Sequence, residues 1–422
     1  MNNQFKNYRM IILLICACLV LSACVSTVST EEVRGAFQPV TSLTLPEEVT
    51  LVGIGEATHG NAEFVTLRKE VLAHLVEHYG FRAFAIEGDF GGGQVVNEYV
   101  LNGRGSAEEA VREIGFAIYR TQEMVDLVEW IRAYNQSAGP GERIHFYGYD
   151  MQRYDNNIAG LLAYFEQVDP TLVEPYRAAL ADLNDATVFD QEPEKIQAGL
   201  QAIEEIRAGM QREKERYIAA SSPEAFELAD QYAASIQQNA TLRSGSSSYS
   251  ELRDQFMAEK VRWIVEFEKS QGRGKVLIAG HNGHIEKSAA APQYRSMGSR
   301  LGEQFGEAYF AIGTEFLEST FNAASAAGGG RQRFSVRNNS DLNKAFAASG
   351  LEIAYLDIAS ALDNPALAPL LTSNQSMSNI GDSFASWYTF LPVFYTLQMT
   401  PSEAYDGLIF VRSATPTTML EE

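Results

Sequence analysis

Seven short apolar runs do most to limit what this chain can fold into: TLVGIG (50–55), FRAFAIEG (81–88), RIHFYGYD (143–150), KVLIAGHN (275–282), AYFAIGTEF (308–316), EIAYLDI (352–358) and GLIFVRS (407–413). They are continuous rather than alternating, the pattern of strands covered on both faces. Such strands need helices above and below the sheet. Between the first two runs Phe64, Leu67, Val71, Leu72, Leu75 and Val76 recur at helical spacing, and Gly80 closes the segment. Strand, helix, strand at this spacing is a βαβ unit, so the expected fold is α/β, with a mostly parallel central sheet flanked by helices.

The stretch from about 155 to 270 breaks this rhythm. It is rich in Ala, Glu, Gln and Arg, carries no strand signal and reads as long helices, a hairpin-like insertion between sheet strands with RSGSSSYSE (243–251) as a loop. A helical insertion beside an open sheet is a common way to wall a substrate cleft. The expected organisation is therefore a leader over 1–23, a tether over 24–45 and an α/β domain over 46–422 that carries the insertion.

The leader is read from Lys6 and Arg9 followed by the apolar run MIILLICACLVL, whose twelve residues are too few to cross a bilayer that takes about 20. It ends in Leu21-Ser22-Ala23-Cys24, which looks like a bacterial lipobox, so Cys24 is the expected lipid attachment point of an envelope protein exposed outside the cytoplasm. All three cysteines, Cys16, Cys18 and Cys24, fall here, which leaves the body without a thiol nucleophile, disulfide or cysteine metal site. The formal charge of -21 becomes more negative once Lys6 and Arg9 are removed. So acidic a body repels nucleic acid and anionic lipid. Nucleic-acid binding is excluded, and the lipid would be the membrane contact.

In open α/β sheets ligands bind beyond the carboxyl ends of the strands. Glu56 and His59 follow the first run, Glu87 and Asp89 the second, Asp150 the third, His281 and His284 the fourth and Glu315 the fifth. Three of the six histidines thus sit in Gly-flanked turns after strands. His74 and His78 share a helix face and read as a solvated pair, and His145 lies inside a strand. The stretch GIGEATHG begins like a dinucleotide loop, but Thr58 stands where the third glycine belongs and Glu56 would face the phosphates. Its glycines are expected to turn the backbone tightly and raise Glu56 and His59 to the top of the sheet. No Gly-x-Ser-x-Gly elbow is present. What remains is water activated by a histidine oriented by a carboxylate, or by a divalent metal held by Glu56, His59, His281 and His284. The spacing of these residues does not choose between the two. A noncatalytic lipoprotein binding a hydrophobic ligand in the same cleft is the third alternative.

These residues together resemble the erythromycin esterase family. The resemblance runs through GEATHG with Arg68 beyond it, AIEGD around Glu87, FYGYDMQ (146–152), RDQFMAEKV (253–261), IAGHNGH (278–284), MGSRLGEQFGEAYFAIGTEF (297–316) and the closing YDGLIFVRSATP. It implies hydrolysis of the ester in a macrolide lactone ring, without an essential metal, with His59 as general base and Glu56, Arg68, Glu87, His281 and His284 completing the site. In that reading Glu56 or Glu87 fixes the His59 tautomer and Arg68 stabilises an oxyanion or holds Glu87. His284 or His281 protonates the leaving alkoxide, and Asp150 and Glu315 are the candidate substrate contacts. The partner is a small-molecule ester or lactone, of which a macrolide antibiotic is one and an envelope metabolite another.

Overall fold

The computed structural model describes residues 33–245, 248–288 and 294–421. The leader and Cys24 lie outside the described residues. All seven apolar runs are strands: β2 (Leu51–Glu56), β3 (Ala83–Asp89), β4 (His145–Asp150), β5 (Val276–His281), β6 (Tyr309–Ser325), β8 (Ile353–Asp357) and β12 (Gly407–Ala414). Short strands join them: β1 (Phe37–Gln38), β7 (Arg331–Arg337), β9 (Gln375–Ser378), β10 (Ser383–Phe384) and β11 (Thr396–Met399). The main sheet runs β1-β8-β12-β6-β2-β5-β3-β4, with β7 and β10 added to β6. From β12 to β4 every neighbouring pair is parallel, whereas β8 and β1 are antiparallel edge additions.

Continuous burial explains the continuous apolar runs. All positions of β2, β3 and β5 are buried, their side chains dividing between two hydrophobic layers. One layer holds Val52, Ile54, Phe84, Leu277 and the helix Ala62–Tyr79; the other holds Leu51, Ala85, Ile278 and the helix Tyr249–Ser270. The first helix stops where expected, with Gly80 in the left-handed conformation at φ 73°.

Two expectations about boundaries change. The tether ends before residue 45, because Phe37 packs its ring against Phe346 and Phe410 and pairs with Leu356 of β8. A strand of two residues is too short to leave a periodic signal. The insertion, in turn, is larger than a hairpin. Between β4 and β5 the described residues form six α-helices, over 155–168, 173–179, 193–212, 214–220, 223–243 and 249–270. They enclose their own core of residues such as Phe165, Ile203, Ile206, Phe226 and Ile236.

The chain passes from β2 outward to β3 and β4, returns to place β5 between β2 and β3, and then crosses to β6 on the other side of β2. The direction of winding thus reverses beside β2 and β5, which is where a crevice opens above the strand ends. Close backbone approach on the β3–β4 side is set by glycines: a Cβ on Gly93, in the helix Phe90–Asn102, would lie 2.1 Å from the Gly148 nitrogen of β4. We expect Gly93→Ala to lower stability by about 1–3 kcal/mol through overpacking, read as a lower urea midpoint. Gly139→Ala, where nothing lies within 4 Å of the new Cβ, serves as the control, and equal midpoints for the two variants would contradict this account.

Candidate active site

At the crevice the last residues of β2 and β5 are register partners, Glu56 beside His281. Glu56 is 2% exposed, and a carboxylate so deeply buried must be paired. Its Oε2 lies 2.5 Å from Arg68 Nη2, which the helix Ala62–Tyr79 brings in from below, and its Oε1 lies 2.7 Å from His59 Nδ1. Burial works to raise the Glu56 pKa, but the Arg68 charge and the His59 bond outweigh it and hold the carboxyl below its ordinary range. The turn carrying His59 is pinned by Ala57, whose N–H donates to Thr314 Oγ1 at 2.9 Å and whose carbonyl accepts from Ile380 N at 2.8 Å.

An ionised Glu56 requires the proton of a neutral His59 to sit on Nδ1, leaving Nε2 as the basic nitrogen. Burial opposes charging this ring; the Glu56 hydrogen bond and charge, with Glu87 and Asp382, more than compensate and raise its pKa. His59 lines a cavity of about 550 Å³ together with Glu87, Arg253, His281, His284 and Asp382.

A second charged cluster stands across this cavity. Glu87 at the end of β3 accepts from Arg253 Nη2 at 2.7 Å and from the His281 backbone N–H at 2.9 Å. Burial favours its neutral form, but the charges of His284 and Arg253 dominate and keep it well below the usual carboxylate range. Arg253 also donates to Asp150, with Nη2 2.6 Å from Oδ2. His284, on the single turn Asn282–Ile285, has Nδ1 2.6 Å from Asp254 Oδ1 and Nε2 3.4 Å from Glu87 Oε1. Its pKa is raised: burial lowers it, and Asp254 and Glu87 overcome that.

His281 behaves oppositely. Gly283 N–H donates to its Nδ1 at 3.3 Å, so Nε2 carries the proton and faces the Ile380 carbonyl at 3.2 Å. Burial and the neighbouring His59 charge depress its pKa to about 3. With both nitrogens bonded to backbone and the ring neutral, it cannot serve as the acid for a leaving alkoxide. Of the two histidines considered for that step, only His284 is placed for it.

Thus His59, Glu87, His281 and His284 converge on one cavity, with Glu56 directly behind His59. Three other expectations are corrected. Arg68 is 1% exposed and bound to Glu56, so it neither reaches an oxyanion nor holds Glu87. Asp150 is fully buried beneath Arg253 and supports that side chain instead of touching substrate. Glu315 is also fully buried, accepting from Ser378 N at 2.7 Å and Phe316 N at 2.8 Å; β6 continues to Ser325, so Glu315 lies mid-strand rather than at a strand end.

The glycines of GIGEATHG also act differently from expectation. Gly53 and Gly55 lie within β2 and neither has a positive φ. A Cβ on Gly55 would fall 2.2 Å from Asn282 Oδ1, so glycine here admits the His281–His284 turn beside β2. Of the residues Glu56, His59, His281 and His284, both Glu56 oxygens and both His281 nitrogens are engaged within the protein, and among the described residues no three His, Cys, Asp or Glu side chains group to hold a metal ion. Sequence reasoning missed Arg253, Asp254 and Asp382 as parts of the site. The Arg-Asp dipeptide opening RDQFMAEKV was the available signal for the first two.

Comparison with known proteins fits this architecture. The chain is 25% identical to erythromycin esterase type II of Escherichia coli over 296 residues, covering 63% of this chain and 68% of that protein. Its fold matches a succinoglycan biosynthesis protein with a TM-score of 0.77 at 20% identity, over 93% of this chain and 98% of the other. A mutant erythromycin esterase in its open conformation matches with a TM-score of 0.66 at 18% identity, over 91% and 94%. The family model described as erythromycin esterase matches residues 76–414, well over half of the sequence, and the chain therefore belongs to the erythromycin esterase family.

Proposed function

We propose that the protein cleaves a carboxylic ester with water activated by His59, the lactone of a macrolide antibiotic such as erythromycin being the substrate class that its relatives' names suggest. As a member of an esterase family it is a hydrolase. The observation that carries the mechanism is the 2.7 Å contact from Glu56 to His59 Nδ1 within a cleft whose far side holds His284 on Asp254.

In this reading a water molecule gives its proton to His59 Nε2 while its oxygen attacks the ester carbonyl. Glu56 stabilises the imidazolium through Nδ1 without taking the proton. The tetrahedral oxyanion forms beside the Arg253 guanidinium, a fixed charge held by Glu87 and Asp150. His284, kept readily protonated by Asp254, donates to the leaving oxygen as the C–O bond breaks. The products are an acid and an alcohol, or one hydroxy acid from a lactone, and no step calls for a metal. Lipid on Cys24 would hold this chemistry at the cell envelope, and cleavage of a macrolide there would contribute to antibiotic resistance.

His59→Ala should lower kcat on macrolides or simple lactones by about 10²- to 10⁴-fold, whereas chelator leaves the wild-type rate intact. Equal rates in the variant and wild type would remove the mechanism, and loss of activity on chelation would restore a metal to it. The pH profile gives a second check. His59 must be neutral to act as base and its pKa is raised, so activity should fall as pH drops through a value above that of an ordinary histidine. Glu56→Gln removes the charge responsible and should move this acid limb to lower pH as well as reduce the rate; an unmoved limb would mean that another group titrates. For the anchor, labelled palmitate should enter the wild-type chain in bacteria but not Cys24→Ser, and equal labelling would place the lipid elsewhere.

A further inference from the structure

The charges around the cleft pair almost completely. Glu87 and Asp150 take Arg253, Asp254 takes His284, and Asp382 at the rim is bound by Arg331. Arg153 lines the same cavity, yet none of the recorded ion pairs of the described residues includes it. Asp185 is near enough for the two charges to interact, but they make no ion pair. The Arg153 Nε–H donates to the Gly115 carbonyl at 2.8 Å, and its guanidinium stands 5.4 Å from the Phe116 ring centroid and 5.5 Å from that of Phe189. Those contacts orient the plane and use one of its five N–H donors.

A second arginine meets the same ring. Arg243 stands 4.8 Å from the Phe189 centroid and 5.5 Å from that of Tyr249, with Nε donating to Asn239 Oδ1 at 3.3 Å. Its Nη2 is buried and has no hydrogen-bond partner, and no ion pair of the described residues includes Arg243. Asp185, whose charge interacts with Arg153, accepts from the Tyr154 N–H at 2.6 Å through one of its oxygens. Two arginines outside the recorded ion pairs thus meet one ring, and of the two Arg153 lines the cleft together with that ring, in a chain of formal charge -21. A buried guanidinium nitrogen without an acceptor is costly unless a ligand completes it.

We propose that Arg153 and Arg243, set about Phe189, form an anion-recognising subsite, so that the ester cleaved at His59 carries a second, anionic oxygen group, a carboxylate or a phosphate, remote from the scissile bond. The inference rests on the reading that His59 cleaves an ester, and it points within that reading away from erythromycin, which carries an amine and no anionic group, toward an anionic ester. A cavity of about 550 Å³ that is lined by both His59 and Arg153 is large enough for one small molecule to reach both. Phe189, 67% exposed, would cover the bound group with its ring edge while its neighbours supply the charge.

The test uses full-length protein and matched esters: a monoalkyl ester of a dicarboxylic acid, the same ester with its free carboxyl methylated, and a phosphate-bearing analogue. Wild type should favour one anionic ester over the neutral one by about tenfold or more in kcat/KM, and whether the carboxylate or the phosphate leads identifies the group. Arg153→Gln and Arg243→Gln should each shrink that ratio and Arg153→Lys should retain part of it, which separates lost recognition from misfolding. In parallel, calorimetry with His59→Ala measures binding of the dicarboxylate monoamide and of inorganic phosphate. Binding that is lost in His59→Ala carrying Arg153→Gln, with no ester turned over by wild type, would sustain the subsite and sink the esterase reading. Turnover with no preference for an anion, or anion binding indifferent to both arginines, would overturn the subsite.

Discussion

A carboxylate with 2% exposure governs the rest of the site. Glu56 closes β2 where no water can solvate it, and an unpaired buried charge is far too costly to keep. Its two partners, Arg68 and His59, both lie within the next dozen residues, so one βα unit contains the complete arrangement. The position of Arg68 is fixed by hydrophobic packing: Phe64, Leu67, Val71 and Leu72 on the same helix bury against the sheet and set its rotation. Breaking such a pair typically costs about 3–5 kcal/mol. The stability of the helix on the sheet and the basicity of His59 therefore depend on the two oxygens of one carboxylate.

Three histidines within one cavity titrate in different directions because their partners differ. His59 and His284 each face a carboxylate on Nδ1, and both are raised. His281, between them, with ring centroids 5.0 Å from His59 and 6.3 Å from His284, meets only a backbone N–H and a carbonyl and stays neutral. A third charged ring there would repel the other two. The arrangement thus leaves one nitrogen base and one readily protonated acid on opposite sides of a neutral spacer, which is what hydrolysis of an ester by water asks of a site.

The strands were legible because parallel strands buried on both faces must be apolar throughout, which holds for six of the seven runs; the seventh, β8, is an antiparallel strand near the sheet edge whose middle is buried. The convergence of Glu56, His59, Glu87, His281 and His284 followed from placing residues at strand ends. The same rule failed for Glu315 because β6 runs on for ten residues past it, through Thr320 and Asn322, which do not look like a continuing strand. It failed for Asp150 in a different way: the strand end is correct, but Arg253 covers the carboxylate. Arg253 and Asp254 sit on a helix of the insertion, 166 and 30 residues from the Glu87 and His284 they meet, a proximity that no local pattern contains. The glycines of GIGEATHG were misread for a related reason. Their roles are set by residues distant in sequence: Asn282, on the turn after β5, packs against Gly55, Tyr309 and Ile285 against Gly53, and the Asn322 backbone against Gly60.

The two halves of the cleft differ in origin. His59, Glu56, Glu87, His281 and His284 come from strand ends of the parallel sheet, where positions are fixed by ladders of backbone hydrogen bonds. Arg153 and Phe189, with Arg243 against the Phe189 ring, come from the segment that leaves β4 and from the insertion, which packs largely on its own core. The two meet through the first turns of the helix Tyr249–Ser270. There Arg253 binds Glu87 and the next residue, Asp254, faces His284. That helix is anchored to the sheet by Met257, Val261 and Ile264, one to three turns farther along. The charge state of His284 consequently depends on the insertion being docked, whereas the Glu56–His59 pair does not, since both residues and Arg68 belong to the first βα unit. A change in the insertion can therefore alter the acid side and the mouth of the cleft while the water-activating side keeps its geometry.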